Sequence, residues 1–348
     1  MTKKYKFIDL FSGIGAFRIG LEKQGFQCVW SSDNNKNCQE TYQANFGDRP
    51  FGDITKIKPK EIPDFDLITA GFPCQPFSIS GRHKGFDDTR GTLFFDICRI
   101  IKEKKPKVII LENVKHFINH DKKKTIKKII NSLEELNYNV TYKILNASDF
   151  GLPQNRERIF IIASKKGYFD FSLIKTKKSK ALKFFLDKDK KFSFLKKNEY
   201  TLLEKKFIKK QDSGLIFVGY RNKNMFKRGV RPNSEHLNRT HRQPNRIYSS
   251  EGYHPTLPSQ ESAGRFFILD ENKKVRKLTV DECYRIMGFP KKFIKSPKSG
   301  EQYKQIGNSI AINVIEEIVK EIVNQKLLDE KFKHKYDTLE NFIFQDHV

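Results

Sequence analysis

The chain has 348 residues, 37% of them hydrophobic, and its 67 Lys and Arg against 41 Asp and Glu leave a formal net charge of +26. That length is enough for two domains, and the cationic excess points to a polyanionic partner, nucleic acid first, with the Lys, Asn, Ile and Phe bias of an AT-rich genome as the plain alternative. Five scattered cysteines (Cys28, Cys38, Cys74, Cys98 and Cys283) with no Cys-x-x-Cys pair argue against a disulfide framework or a zinc site, and no run reaches the roughly 18 apolar residues of a membrane span. The first residues lack the apolar core of a signal peptide, so a soluble protein of a reducing compartment is expected.

From residue 5 to residue 164, short apolar runs alternate with amphipathic stretches, the signature of βαβ units around a mostly parallel sheet. Strands are expected at Lys6–Leu10, Gln27–Ser31, Asp66–Ala70, Lys107–Leu111, Val140–Leu145 and Arg158–Ala163. Helices are expected at Ala16–Gln24, Lys36–Ala44, Thr92–Glu103 and Lys123–Leu136. Beyond Ser164 the character changes: residues 165–210 carry 16 lysines against 5 acids without a period, and residues 221–246 carry 8 Lys or Arg opposed only by Glu235. A smaller, loop-rich, basic domain is expected there. A solvated lysine face is the plain reading of 165–210, whereas the arginines of 221–246, interleaved with Tyr220, Phe226 and Tyr248, suit phosphates and bases. Ile306, Ile310, Val314, Ile315, Ile318 and Val319 then recur at helical spacing and predict one amphipathic helix.

The first strand runs directly into Phe11-Ser12-Gly13-Ile14-Gly15, a glycine-spaced turn that opens a helix. Backbone amides at such a turn can approach a ligand closely, but the third glycine of a dinucleotide fingerprint is out of place, so an adenosine-bearing cofactor other than NAD fits better. Asp33 after the second strand can accept from ribose hydroxyls and Asp53 from an exocyclic amine; either alone is an ordinary turn or capping aspartate. Cys74 stands in Gly71-Phe72-Pro73-Cys74-Gln75-Pro76-Phe77-Ser78-Ile79-Ser80-Gly81, after a strand and among prolines and glycines, where open α/β sheets place their chemistry. Its plain reading is a small hydrophobe capping a strand. Glu112 ends the run Val108-Ile109-Ile110-Leu111, where a buried carboxylate needs a partner or a task. Arg156 and Arg158 share a face at i, i+2 and are expected to hold a polar ligand near Glu112, with a surface hairpin as the alternative.

Phe7–Gly15, Gly71–Gly81, Glu112-Asn113-Val114, Gln154–Arg158 and Tyr303-Lys304-Gln305-Ile306-Gly307-Asn308-Ser309 stand in the order and spacing of the motifs of the DNA (cytosine-5) methyltransferases. The chain resembles the bacterial restriction-modification members of that family over nearly its whole length. The resemblance implies an α/β fold with a doubly wound, mostly parallel sheet and S-adenosylmethionine as cofactor. It implies a catalytic domain at 1–164, a target-recognition domain at 165–276, a returning segment at 277–328 that completes the catalytic domain, and a tail at 329–348. Phe11, Gly13, Gly15, Asp33, Asn34, Asp53, Ile54, Pro73 and Asn308 match cofactor-lining positions, although Asn34 stands where a large apolar side chain often packs on adenine. Cys74, Glu112, Arg156 and Arg158 match the catalytic set. Ser78, Ser80, Arg82, Arg221, Arg228, Arg231, Arg239, Arg242, Arg246 and Thr256 are the expected DNA contacts.

The implied chemistry follows from cytosine itself, whose C5 is a poor nucleophile. A thiolate adding at C6 makes the ring electron-rich, a glutamate bonded to N3 and the exocyclic amine stabilises the addition, and the base must leave the duplex to be reached. Ser78 to Arg90 has the length and polarity of a closing loop. The expected partners are duplex DNA and a cognate restriction endonuclease that acts on the same sequence without binding the protein; a cytoplasmic monomer with no membrane attachment is expected. Three alternatives remain: an RNA cytosine-5 methyltransferase, a catalytically silent DNA-binding homologue, and a cysteine hydrolase that would need His83 as base.

Overall fold

The computed structural model describes residues 4–73, 93–188, 190–222, 234–259 and 266–329. Cys74, Ser78, Ser80, Arg82, the expected closing loop to Arg90, Arg228 and Arg231 lie outside the described residues. The chain divides into two compact units: 1–145, 157–175 and 314–348 form the first, and 146–156 with 176–313 form the second. These borders differ from the expected ones at 164 and 276. The returning segment is itself split, because residues 277–313 cluster with the second unit and only those from Val314 onward with the first.

The first unit is built on a six-stranded sheet of β1 (Lys6–Leu10), β2 (Gln27–Ser32), β3 (Leu67–Gly71), β4 (Val108–Val114), β5 (Asn139–Asn146) and β7 (Glu157–Ser164), in the order β2-β1-β3-β4-β7-β5. The first four strands are parallel, and β7 runs antiparallel to β4. Each strand lies within three residues of its expected bounds at either end, because Val, Ile and Leu runs of this length, bounded by Gly, Pro and Asn, leave little choice of period. Helices α1 (Ala16–Lys23), α2 (Lys36–Phe46), α3 (Leu93–Lys104) and α4 (Lys124–Glu134) occupy the expected connections.

Ile8, Leu10, Ile68, Ile109, Leu111, Ile159 and Ile161 pack on one face of the sheet with Phe94, Ile97 and Ile101 of α3 and Ile126, Ile129 and Leu133 of α4. Phe7, Leu67, Val108, Ile110, Phe160 and Ile162 alternate with them and are equally buried, so the sheet is covered on both faces. Each fully buried Leu or Ile here contributes on the order of 1.5–3 kcal/mol. A Cβ on Gly20 of α1 would stand 2.6 Å from Ile315 Cγ2, which fixes the close approach of α1 to α7 (Ile312–Asn324).

The second unit carries a five-stranded sheet, β13 (Val275–Lys277), β12 (Phe267–Leu269), β10 (Arg246–Ser249), β9 (Phe217–Arg221) and β8 (Tyr200–Leu202), in that spatial order. It also holds the two-stranded pair β6 (Gln154–Asn155) and β11 (His254–Pro255). Short α5 (Val280–Arg285) begins on a Thr279–Glu282 capping box, and Glu282 is also the buried ion-pair partner of Arg276 at 2.8 Å. The single helix expected across Ile306–Val319 is two: α6 (Ser299–Asn308) ends before Ser309-Ile310-Ala311, and α7 starts after it. A 3.6-residue hydrophobic period survives such a break, since Ile310 is buried in either arrangement, so periodicity alone could not reveal it.

Candidate active site

The glycine turn after β1 has the backbone its sequence demands. Phe11, Gly13 and Gly15 all have positive φ, at 53°, 54° and 87°. At Gly13 a Cβ would meet nothing within 4 Å, which leaves open space against this turn. Gly15 has another reason for its lack of a side chain: a Cβ there would lie 2.3 Å from the ring of Phe46. Asp33 closes the turn, its two oxygens accepting from the amides of Gly13 and Asn35, each at 2.8 Å. Burial raises the Asp33 carboxyl above its ordinary value, and the two amides oppose the shift.

Residues 51 to 53 run beside the carboxyl end of β2. The Phe51 amide donates to Ser31 O and the Asp33 amide to Phe51 O, both at 2.8 Å. Phe51 is thereby held between Asp33 and Asp53 with its ring stacked on Trp30 (centroids 5.1 Å apart, 16° between planes) and yet 56% exposed. Sequence reasoning passed over it; its signal was an aromatic two residues before Asp53. Asp53 caps the following turn, accepting from the Thr55 amide and hydroxyl, and the amide bond holds its carboxyl below the usual range. Ile54 turns into the core cluster, Asn34 is exposed, and Pro73 is exposed directly after buried Phe72.

Asp9 was also unassigned. It is fully buried in β1, with Oδ1 accepting from Thr69 Oγ1 at 2.8 Å and Oδ2 without a hydrogen-bond partner. Burial pushes its carboxyl up to about 7, against the opposing pull of Thr69 and Arg18. The fold thus favours the neutral form, whose stabilising contribution is complete below the ordinary value of 3.8 and is lost as pH rises through about 7. Asp9→Asn keeps an acceptor for Thr69 and cannot ionise. Urea unfolding is expected to show the variant more stable than wild type by about 4 kcal/mol at pH 8, the difference closing toward pH 4. A gap independent of pH would sink this account of Asp9.

On the neighbouring strands, Gly71 of β3 pairs in register with Glu112 of β4. Glu112 is 8% exposed, and its Oε1 lies 3.1 Å from Arg158 Nε on β7. Burial lowers the Arg158 pKa, and the Glu112 charge opposes that shift. Next to Glu112, Asn113 is buried and donates from Nδ2 to Phe72 O at 2.9 Å, while its Oδ1 accepts from the Val114 amide at 2.8 Å. Phe72 in turn meets Phe117 edge-on, with centroids 5.7 Å apart at 86°. The chain is therefore anchored from β4 and its following segment up to Pro73, the last described residue before Cys74.

Arg156 falls in the break between β6 and β7, and its partners are not those of Arg158. Its buried guanidinium donates instead to the carbonyls of Leu257 (3.3 Å), Gly307 (2.9 Å) and Ser309, all in its own unit. Gly307 has no room for a Cβ, which would stand 2.0 Å from Pro258 O. Arg156 thus ties Leu257, the residue after Thr256, to the end of α6, where Asn308 is exposed. Among the expected DNA contacts, Arg239 and Arg242 are exposed. Arg246 donates to His241 O at 3.1 and 3.0 Å, Thr256 Oγ1 donates to Asn155 O at 2.7 Å, and the Arg221 guanidinium lies 4.8 Å from the centre of the Phe267 ring. Three of the five described residues in that set therefore have structural engagements that sequence could not show.

A model of the C-5 cytosine-specific DNA methylase family matches residues 5–324. The type II methyltransferase M.HhaI of Haemophilus parahaemolyticus is 41% identical over 329 residues, covering 90% of this chain and 92% of the relative. M1.ScrFI of Lactococcus lactis subsp. cremoris is 40% identical over 335 residues, covering 92% and 79%. The crystal structure of the S. pombe Dnmt2 methyltransferase superposes with a TM-score of 0.65 at 20% identity over 92% of this chain and 99% of that one, a likeness of fold. Matched over nearly its whole length by the family model and by relatives at about 40% identity, the chain belongs to the C-5 cytosine-specific DNA methylases.

Proposed function

We propose that Cys74, Glu112 and Arg158 carry methylation at C5 of a cytosine turned out of duplex DNA at a short specific sequence, and that the edge formed by Gly13, Asp33, Phe51 and Asp53 seats the methyl donor. The observation that carries this reading is the nearly buried Glu112–Arg158 pair at the carboxyl end of β4, in register with the end of β3 that leads to Pro73 and Cys74. The contact with Arg158 fixes the rotamer of Glu112 and presents a carboxyl group that can accept from an exocyclic amine and, when protonated, donate to a ring nitrogen.

The residues act as follows. The Cys74 thiolate forms a bond to C6 and the electron pair of the 5,6 double bond moves toward C5 and N3, where Glu112 in its protonated form gives N3 a proton that it takes back when the thiolate leaves. S-adenosylmethionine, when bound, supplies an electrophilic methyl for that carbon. Loss of the C5 proton to a base or water then drives the electrons back and expels the thiolate. Arg158 keeps Glu112 aimed, and Asn113 is a positioning residue that holds the backbone before Pro73. Arg156 contributes by holding the Thr256-Leu257 stretch, so its part in catalysis is indirect.

The donor's seat is supported by its chemistry. Two carboxylates suit ribose hydroxyls and an adenine amine, the open backbone at Gly13 admits a ligand, and the exposed Phe51 ring offers the flat apolar surface that Asn34 lacks. The two-face burial of the sheet supports the doubly wound reading, and the lysine- and arginine-rich second unit supports target recognition. A restriction endonuclease sharing the target sequence, a cytoplasmic location and action as a monomer complete the proposal; no described helix is long and apolar enough to cross a membrane. Bisulfite sequencing of DNA from a host expressing the protein is expected to show protected cytosines at one short sequence, and calorimetry is expected to show S-adenosylmethionine binding weakened by about tenfold in Phe51→Ala. Uniform conversion of the DNA would overturn the activity at that site, and unchanged binding would remove Phe51 from the seat.

A further inference from the structure

We propose that Lys122, Lys123, Lys124, Lys127 and Lys128 form a phosphate-tracking surface on the catalytic unit for duplex DNA flanking the target cytosine. All five are exposed. They lie eight to fourteen residues beyond the end of β4, and the segment that leads to them is held at the carboxyl edge of the sheet, since Phe117 is buried with its ring against Phe72, one residue before Pro73. The cluster therefore lies on the edge of the unit that presents Glu112, which is the edge a duplex must approach for its extruded base to reach this carboxylate.

The arrangement is unfavourable for the protein alone. Lys122, Lys123 and Lys124 crowd the amino end of α4, where the aligned peptide dipoles repel cations, and Lys123 begins the helix with no side-chain cap. Lys123 and Lys127, like Lys124 and Lys128, face each other as like charges at i, i+4. Three successive residues, Asp121, Lys122 and Lys123, take left-handed backbone with φ of 46°, 52° and 68°, a conformation that neither lysine favours. Other lysines of the same unit offset their charge locally: Lys23 pairs with Glu316, Lys104 with Asp64, Lys107 with Asp66 and Lys115 with Glu157. None of the five pairs with a described carboxylate; Lys128 lies over the Phe95 ring. A lysine-rich composition explains abundance, but not five exposed lysines within seven residues with Asp121 as the one acid between residues 115 and 133. A polyanion reverses the sign of every one of these repulsions.

The test uses the full chain and two labelled duplexes, one just spanning the target and one extended by about one helical turn, roughly ten base pairs, on each side. Binding of wild type and of the triple variant Lys122→Gln, Lys123→Gln, Lys124→Gln is followed by anisotropy across a series of KCl concentrations. On the long duplex the slope of log K against log[KCl] is expected to shrink by about 0.9 for each phosphate that the variant no longer neutralises, roughly two to three phosphates in all. On the short duplex it stays unchanged, as does the methyl-transfer rate at saturating DNA. Lys102→Gln with Lys105→Gln, on the segment entering β4 from its other end, controls for net charge. An unchanged slope on the long duplex, or an equal change per charge removed in this two-charge control, overturns the proposal. Should the triple variant not fold, Lys127→Gln with Lys128→Gln, within the helix, reads the same slope. Methyl transfer by the wild type on the same duplex is measured alongside, so failure of the methyltransferase reading shows there and not in the salt series.

Discussion

Cys74→Ser is expected to leave no measurable methyl transfer while duplex DNA binding stays within a few-fold of wild type. The two side chains differ by one atom, so shape is nearly conserved; the nucleophile is not. A thiol near its ordinary value of about 8.5 needs only a modest lowering to exist as thiolate at neutral pH, whereas a hydroxyl needs a strong adjacent base. Removing a covalent nucleophile from a site that works as a unit costs on the order of 10⁴-fold or more. Two measurements separate this from misfolding: retained DNA affinity, and trapping on DNA carrying 5-fluorocytosine. Wild type should remain covalently attached to that substrate, since fluorine cannot leave C5 as the proton does, and Cys74→Ser should not. Transfer by Cys74→Ser at a rate near wild type would eliminate the covalent route.

The strands and helices of the first unit were legible because their signal is local. Runs such as Val108–Leu111 are too apolar and too short for anything but buried strands, and Gly13 and Gly15 mark a turn whatever surrounds them. The chemistry-bearing residues at strand ends were legible for the same reason, since Glu112 has a conspicuous place after an apolar run. Partnership was not legible, because it depends on which strands become neighbours. Arg156 and Arg158, two positions apart, look equivalent in sequence; one meets Glu112 and the other meets three carbonyls only because a strand ends between them. Gly15 reads as a ligand-binding glycine and is spared a side chain for Phe46. Asn113, Asp9 and Phe51 were passed over, since an asparagine beside a glutamate, an acid inside a strand and an aromatic in a loop have unremarkable local patterns. Their significance lies in Phe72 O, in Thr69 and in the Trp30 ring, all contributed from elsewhere in the chain.

Glu112→Gln is expected to lower kcat by roughly 10²–10³-fold, the scale seen when a preorganised group at a developing charge is removed. Glutamine is isosteric and can still accept from the exocyclic amine, but it has no acidic proton to give N3 as the ring becomes electron-rich. It also leaves Arg158 nearly buried beside a neutral amide, and breaking a buried pair from one side costs stability of about 3–5 kcal/mol at most. The two effects must therefore be separated. Arg158→Leu breaks the same pair from the other side and leaves the Glu112 carboxylate in place without its anchor. If Arg158 only aims Glu112, Arg158→Leu should lose stability to a similar degree but retain more turnover than Glu112→Gln. If the pair is structural alone, both variants should unfold earlier and turn over alike once folded. Single-turnover rates at saturating DNA, read beside urea unfolding of each variant, decide between these outcomes. An unchanged single-turnover rate in folded Glu112→Gln would take the carboxylate out of the chemistry and leave it a brace for β7.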